Sequence, residues 1–208
     1  MTNDERSGGP WDESDIDFGD GVERVDLGAL LVPATTGMDL QVQVDEQTGN
    51  VVQVTLVMNG SAVQVQPYAA PRSGGMWDDV RVQIKNSISS SGGLVEEVDG
   101  PFGVELRAQV HPSDGGKTLQ PARFVGIEGN RWFLRAVFLG AAARPGPEAQ
   151  ALEEVVRSLA VVRGAEAMPV GAPIPMRLPE TTEPGAPGAG RKPAVDPFAR
   201  GPEITEIR

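Results

Sequence analysis

The chain has 208 residues, of which 39% are hydrophobic, with a formal net charge of −11 and no cysteine. The absence of cysteine excludes disulfides, thiolate nucleophiles, cysteine-bound zinc and iron–sulfur clusters. The negative charge argues against general nucleic-acid binding, because such binding needs a net basic footprint. No apolar run approaches the ~18 residues that cross a bilayer, and the N-terminal residues lack the basic and apolar regions of a secretion signal. We therefore expect a soluble, cytoplasmic protein that binds no membrane.

Composition divides the chain into a central domain and two tails. Residues 1–24 carry eight acidic and two basic residues without hydrophobic periodicity, which predicts a disordered acidic tail. Residues 25–164 are expected to form a single α+β domain. Residues 165–179 still contain apolar side chains and are expected to lie on that domain, whereas the proline- and glycine-rich residues 180–208 are predicted to be disordered.

The first part of the domain alternates apolar and polar residues, as half-buried strands do. The alternation covers residues 40–44, 52–56 and about 62–66. Asn59-Gly60 lies between two of these segments and is a strong hairpin signal, because both central residues of a type I′ turn need a positive φ. The sequence therefore predicts three strands joined by tight reversals.

A helical period follows, and strands then resume. Apolar residues three to four positions apart predict a helix over residues 76–90, with Asp78 and Asp79 in the first turn, where the helix dipole favours acidic groups. A second helix is predicted from Pro147 to about residue 159. This element order predicts an α+β fold with an antiparallel sheet of about six to seven strands and two packed helices. Four strands between the helices are predicted at residues 94–98, 104–110, 123–127 and 131–139.

Two short motifs resemble catalytic sequences, and both are rejected. Residues 115–118 end like a phosphate-binding loop, but His111 stands where the motif needs a glycine, and a strand rather than a helix follows. Residues 111–114 hold the residue types of a hydrolase triad, yet contiguous loop residues do not converge as a triad must. His111 is the single histidine. We therefore expect no catalytic, cofactor-binding or metal-binding residue, no cofactor, and no enzymatic activity.

Four arginines on three consecutive predicted strands are the candidate binding residues. One interpretation is a solvated face on which arginines pair across strands with Glu105. The other is an anion- or partner-binding face. Trp11 and Phe18 are candidate anchors by which the acidic tail would fold back onto that face. The four arginines are Arg107, Arg123, Arg131 and Arg135.

Seven segments of the chain carry a family resemblance: GPWDESD near the start, RVDLGALLVP (24–33), AAPRSGGMWDDVR (69–81), GGLVEEVDGPFGVELRAQV (92–110), ARFVGIEGNRWFLRAVFLGAAA (122–143), LEEVVRSLAVVRG (152–164) and PIPMRLP near the end. In these segments most of the chain, from about residue 10 to 179, resembles the domain-of-unknown-function 3710 family, which is typical of high-GC Gram-positive bacteria. The resemblance implies a cytoplasmic protein without an established activity, and it offers no catalytic residue to carry over. The predicted arrangement of residues 76–159 is also similar to secretion-chaperone-like and YbjN-like folds, which are small non-enzymatic binding modules.

Two functions remain open at this point. The first is a non-enzymatic protein-interaction module, chaperone-like or an adaptor, in which the sheet or its edge holds a protein partner. The second is a small-molecule or nucleotide-phosphate binding protein that uses the arginine-bearing face. A flat surface whose arginines are paired with carboxylates favours the first function, and an anion bound by the arginines favours the second.

Overall fold

A computed structural model describes residues 8–45, 47, 49–112, 116 and 118–179. Residues 1–7 of the predicted tail 1–24, the whole of the predicted tail 180–208, and much of the two rejected motifs lie outside the described residues. The described part confirms the predicted α+β class, since it contains a seven-stranded antiparallel sheet and two α-helices. In chain order, the elements are β1 (Trp11–Asp12), β2 (Arg24–Asp26), β3 (Leu30–Pro33), β4 (Met38–Val44), β5 (Val51–Met58), β6 (Ser61–Ala69), α1 (Met76–Ser90), β7 (Leu94–Gly100), β8 (Gly103–Val110), β9 (Gln120–Glu128), β10 (Trp132–Leu139), α2 (Pro147–Ser158) and β11 (Ala160–Val161).

The main sheet joins two runs of hairpin-connected strands. Its strand order is β4-β5-β6-β10-β9-β8-β7, and every pair in it is antiparallel. The Asn59-Gly60 turn predicted between β5 and β6 is present, with φ values of 51° and 72°. Strands β6 and β10 join the two runs at the centre of the sheet, with Ala69 opposite Trp132 and Val63 opposite Phe138.

Helix α1 covers one side of strands β7, β8 and β9. Trp77 packs there against Phe133, with ring centroids 6.1 Å apart. Gly126 lies under the Trp77 ring, where a Cβ atom would collide with the indole. The N-terminus of α1 is capped from another element, because both carboxylate oxygens of Glu128 in β9 accept hydrogen bonds, one from the Gly75 N–H and one from the Trp77 N–H, each 2.9 Å long.

The opposite side of the sheet carries the larger core, under α2 and a small second sheet. That sheet has the order β1-β11-β3-β2. Trp132 and Phe138 from β10 are fully buried in this core, as are Leu152 and Val156 from α2. Each of these residues lies on the apolar side of an amphipathic element, and burial of such side chains is the main stabilising contribution in a domain of this size.

Residues beyond β11 add a further layer to this core. Ile174 is 6% exposed and Met176 is 2% exposed. The backbone is held as well, since the Ile174 N–H donates to the carbonyl of Pro67 at 3.0 Å and the Val51 N–H donates to the carbonyl of Met176 at 3.2 Å. The segment 165–179, expected to lie on the domain, therefore contributes two core side chains.

The acidic N-terminal segment differs from its prediction as a disordered tail. Strand β1 pairs in parallel with β11, and the Trp11 N–H donates to the carbonyl of Leu159 at 2.9 Å. Asp12 accepts a hydrogen bond of 3.0 Å from the indole N–H of the buried Trp132. The physical reason is a contact between distant parts of the chain. The buried indole N–H of Trp132 requires an acceptor, which Asp12 provides from 120 positions earlier, and the composition of residues 1–24 does not reveal that contact.

Candidate functional site

The four arginines of the predicted binding face do not share one face of the sheet. Arg107 and Arg123 lie opposite each other in register, and Arg123 forms an ion pair with Glu153 of α2, so both arginines are on the α2 side. Arg135 is on the α1 side, because alternate residues of β10 point to opposite faces. Arg131 precedes β10 in the turn, with φ 65°. The prediction of a single arginine face is therefore wrong, because the register between strands is not visible in one sequence.

Arg123 belongs to a buried cluster of charges. Its guanidinium is 1% exposed, with Nη2 2.7 Å from Oε1 of Glu153 and Nε 3.9 Å from Oε2 of Glu105. It also lies 4.1 Å from the centroid of the Phe138 ring, a cation–π contact. Arg107 approaches the other oxygen of Glu105 at 3.5 Å. These two arginines are thus paired with internal carboxylates. The expected pairing with Glu105 is present, but Glu105 and Arg123 are buried rather than on a solvated face.

Glu105 is the most buried acid of this cluster. Its side chain has no exposed surface, and burial raises the pKa of its carboxyl group while the Arg123 and Arg107 guanidinium groups oppose that rise. Gly100 makes room for this group, because a Cβ atom there would overlap the Glu105 carboxylate. The Glu105 and Arg123 side chains are enclosed by protein, whereas Arg107 at the outer side of the cluster is 34% exposed. The buried charges therefore pair with each other rather than with a ligand.

The side of the main sheet that carries α1 is partly uncovered and has polar residues in place of the buried charges of the α2 side. Helix α1 covers β7, β8 and β9 and touches β10 where Trp77 packs on Phe133. The same side of β4, β5 and β6, and the rest of β10, lies beyond the main contacts of that helix. The register places polar residues, all uncharged except Arg135, next to one another across these strands, and each of them is at least partly exposed. We call this surface the glutamine face. Its residues are Gln41, Gln43, Gln53, Thr55, Gln64, Gln66, Tyr68 and Arg135.

Hydrogen bonds order one end of the glutamine face. The Tyr68 hydroxyl donates to Oε1 of Gln66 at 2.6 Å, and Nη2 of Arg135 donates to the same oxygen at 3.0 Å. The Gln66 amide donates to the carbonyl of Val52 at 3.1 Å. Burial raises the pKa of the Tyr68 hydroxyl, with the nearby Arg135 guanidinium opposing that rise, so the hydroxyl stays protonated as a donor. No ion pair of Arg135 with a described carboxylate is found.

The glutamine face is flat. The depression beside Arg135, between Gln53 and Gln64, holds only about 10 Å³, whereas small-molecule sites usually enclose about 300–1,000 Å³. A larger cleft of about 310 Å³ lies elsewhere, at the N-terminus of α1 between Trp77 and Phe102. Two carboxylates line that cleft. Glu128 already caps the helix, and Asp78 forms an ion pair with Arg81 at 3.0 Å. Within the described residues, no group of three or more acidic or histidine side chains could hold a metal ion.

The two candidate anchors are both exposed side chains. Trp11 is in β1 beside β11, and its side chain is 38% exposed. Phe18 is 66% exposed. The N-terminal segment does fold back, but it does so through strand pairing and through Asp12. The predicted docking of these two anchors onto an arginine face is therefore not what the structure contains.

Comparison with known proteins identifies a family and no function. Among the described residues, no helix is long and apolar enough to cross a membrane. No curated protein and no solved structure matches the chain, so the secretion-chaperone-like or YbjN-like architecture stays a prediction. The family described as protein of unknown function DUF3710 matches residues 9–184. This match confirms the resemblance seen in the sequence, and the chain belongs to the DUF3710 family.

Proposed function

We propose that this chain is a non-enzymatic protein-interaction module, an adaptor or a chaperone-like binder, and that the glutamine face is its binding surface. One observation carries the proposal: half of one side of the main sheet is flat, uncharged over most of its area and open. The pairing of two other arginines with carboxylates also supports it, because the buried Arg123 pairs with Glu153 and the partly exposed Arg107 lies beside Glu105.

The chemistry of the glutamine face suits a protein partner. Each glutamine amide can both donate and accept hydrogen bonds, so the face can match the polar groups of another protein without a net charge. Tyr68 and Arg135 are of residue types that contribute strongly to protein interfaces. The side chains stand on a hydrogen-bonded sheet, which limits the ordering that binding would require. Since Arg135 is the single basic residue on the face, binding should depend weakly on salt.

Affinity capture with matched variants tests the proposal. Three proteins are each used to capture partners from a native lysate, and the captured proteins are quantified by mass spectrometry. They are the full chain, a Gln53→Lys plus Gln64→Lys variant, and a control with Gln83→Lys plus Asn86→Lys on the exposed surface of α1. We expect a partner that is retained by the wild-type chain and the control and lost from the glutamine-face variant. Equal capture by all three proteins would show that the face is not the binding surface.

A second candidate function rests on Arg135 alone. Its guanidinium is held by Gln66 and lies 5.5 Å from the Tyr68 ring centroid, an arrangement that could present it to a phosphate. Titration with ATP and with inorganic phosphate, followed by backbone amide NMR shifts in β6 and β10, tests this function. Saturable shifts that Arg135→Gln abolishes support it. A spectrum unchanged at millimolar ligand rejects it.

A further inference from the structure

The two edges of the main sheet carry very different side chains. Of the seven residues of β7, three are acidic: Glu96, Glu97 and Asp99. Edge strands commonly use charged side chains to prevent pairing with another chain. Strand β4 also has seven residues, but Asp39 is its single charged residue, and it contains neither lysine nor proline. Edge β7 is therefore protected by charge, whereas edge β4 is not.

The core is also incompletely covered at β4. The inward row of this strand consists of four apolar residues that pack on the main core yet remain only partly buried. On the neighbouring strand β5, Val54 and Leu56 have no exposed surface. No strand of the described chain lies beyond β4. The partly buried row is Met38, Leu40, Val42 and Val44.

We propose that β4 pairs antiparallel with β4 of a second copy of this chain, around a two-fold axis at Gln41. In this register, Leu40 lies opposite Val42 of the second copy and Met38 lies opposite Val44, so the two apolar rows cover each other. On the polar side, Asp39 lies opposite Gln43 and Gln41 lies opposite its own copy. No two like charges face each other.

The same construction fails at the other edge. A two-fold axis at the central residue of β7 sets Glu97 opposite its own copy and brings Val95 opposite Asp99. Like charges directly opposite each other destabilise strand pairing. A mixed contact between β4 of one copy and β7 of the next would be open-ended and would build filaments. Self-complementarity at β4 alone therefore specifies a closed dimer.

The dimer extends the glutamine face. A two-fold axis perpendicular to the sheet keeps each side of one sheet continuous with the same side of the other, so the two glutamine faces form one surface across the interface. The dimer does not depend on the proposed function. A chain that dimerises and binds no protein, or binds protein as a monomer, would separate the two proposals.

Sedimentation of the full chain over a range of concentrations tests the dimer. We expect a species of twice the 21.9 kDa chain mass that dissociates on dilution. Gln41→Glu plus Gln43→Glu sets like charges at three facing pairs and should raise the dissociation constant by about tenfold or more. Gln43→Lys faces Asp39 and should lower the constant by a few-fold. Circular dichroism confirms that each variant is folded.

A matched control separates the edge from the rest of the surface. Gln53→Glu plus Gln64→Glu adds the same charge to interior strands of the same face and should leave the dissociation constant unchanged. Three outcomes would overturn the proposal: a wild-type chain that is monomeric up to about 1 mM, a dimer that is insensitive to the Gln41 and Gln43 substitutions, or assemblies that grow beyond two copies.

Discussion

Replacing Arg123 by leucine should destabilise the fold through charge rather than through volume. The guanidinium is 1% exposed and lies 2.7 Å from Glu153 and 3.9 Å from Glu105. Its loss leaves these two buried carboxylates with only the outer contacts of Arg107 and Arg157, at 3.5 Å and 3.9 Å. Removing one member of a buried ion pair costs about 3–5 kcal/mol. For a domain of this size, that corresponds to a fall in melting temperature of about 6–20 °C.

The pH dependence of unfolding identifies the cause. Burial already raises the pKa of Glu105, and Arg123 opposes that rise, so the substitution should raise it further. A carboxyl group whose folded pKa exceeds its unfolded pKa contributes stability that is present below the unfolded pKa and is lost as pH rises through the folded pKa. The Arg123→Leu protein should therefore be closest to wild type near pH 4.5, the ordinary value for a glutamate carboxyl, and should fall furthest behind at pH 7.

Urea unfolding, followed by tryptophan fluorescence and circular dichroism at several pH values, measures both effects. The matched rescue combines Arg123→Leu with Glu105→Gln and Glu153→Gln, which removes the uncompensated charges and should recover much of the lost free energy of unfolding. An Arg123→Leu protein that unfolds like wild type would refute the reasoning. A loss that is independent of pH and is not rescued would point to packing as the cause instead.

Three further substitutions test other parts of the structure. Trp132→Ala should lower the free energy of unfolding by roughly 3–5 kcal/mol, since this side chain has no exposed surface. It should also raise the amide exchange rate at Asp12, which loses its indole donor. A melting curve like that of the wild type would contradict the burial of Trp132. Glu128→Ala removes both acceptors at the start of α1 and should cost about 1–3 kcal/mol, with faster hydrogen exchange confined to the first turn of the helix; Glu128→Gln should retain part of the cap. Gly100→Ala places a methyl group against the Glu105 carboxylate and should lower the free energy of unfolding, measured by chemical denaturation, by about 1–3 kcal/mol. Combining it with Glu105→Gly should relieve the clash.

Local patterns in the sequence predict most of the elements. The helix predicted at residues 76–90 is α1 (Met76–Ser90), because its period of about 3.6 residues places one apolar side on the sheet. The Asn59-Gly60 turn forms for an equally local reason, since its residues tolerate a positive φ. Element type therefore follows from interactions within a few residues of chain.

The binding residues depend on register, which a single sequence does not contain. Arg123 of β9 lies opposite Phe138 of β10, and Phe138 and Arg135 point to opposite sides of the sheet, so the two arginines do as well. A register shifted by one residue, with Arg123 opposite Val137, would have placed both arginines on the same side. The burial of Arg123 follows from Glu153, 30 positions along the chain on another element. The role of Glu128 as a helix cap is equally non-local, because it acts on residues 51 and 53 positions earlier.

A signal for the glutamine face was nevertheless present in the sequence. The polar positions of the first predicted strands are occupied by glutamine at alternate residues, in the segments QVQV (41–44) and VQVQ (63–66). Ordinary solvated strands carry more charged residues on their outward side. An uncharged polar row repeated on successive strands therefore predicts a common amide-lined face, although its extent across β10 needed the register.

Photo-crosslinking from the glutamine face tests the central claim most directly. A photoreactive phenylalanine analogue replaces Gln64 in one protein and Gln83 of the exposed α1 surface in a control, and each is irradiated in native extract. The account predicts a discrete adduct with a protein partner from position 64 and none from position 83. An excess of unlabelled wild-type chain should suppress the adduct, whereas an excess of the Gln53→Lys plus Gln64→Lys variant should not. Irradiation that yields no adduct from position 64, or the same adducts from both positions, would contradict it.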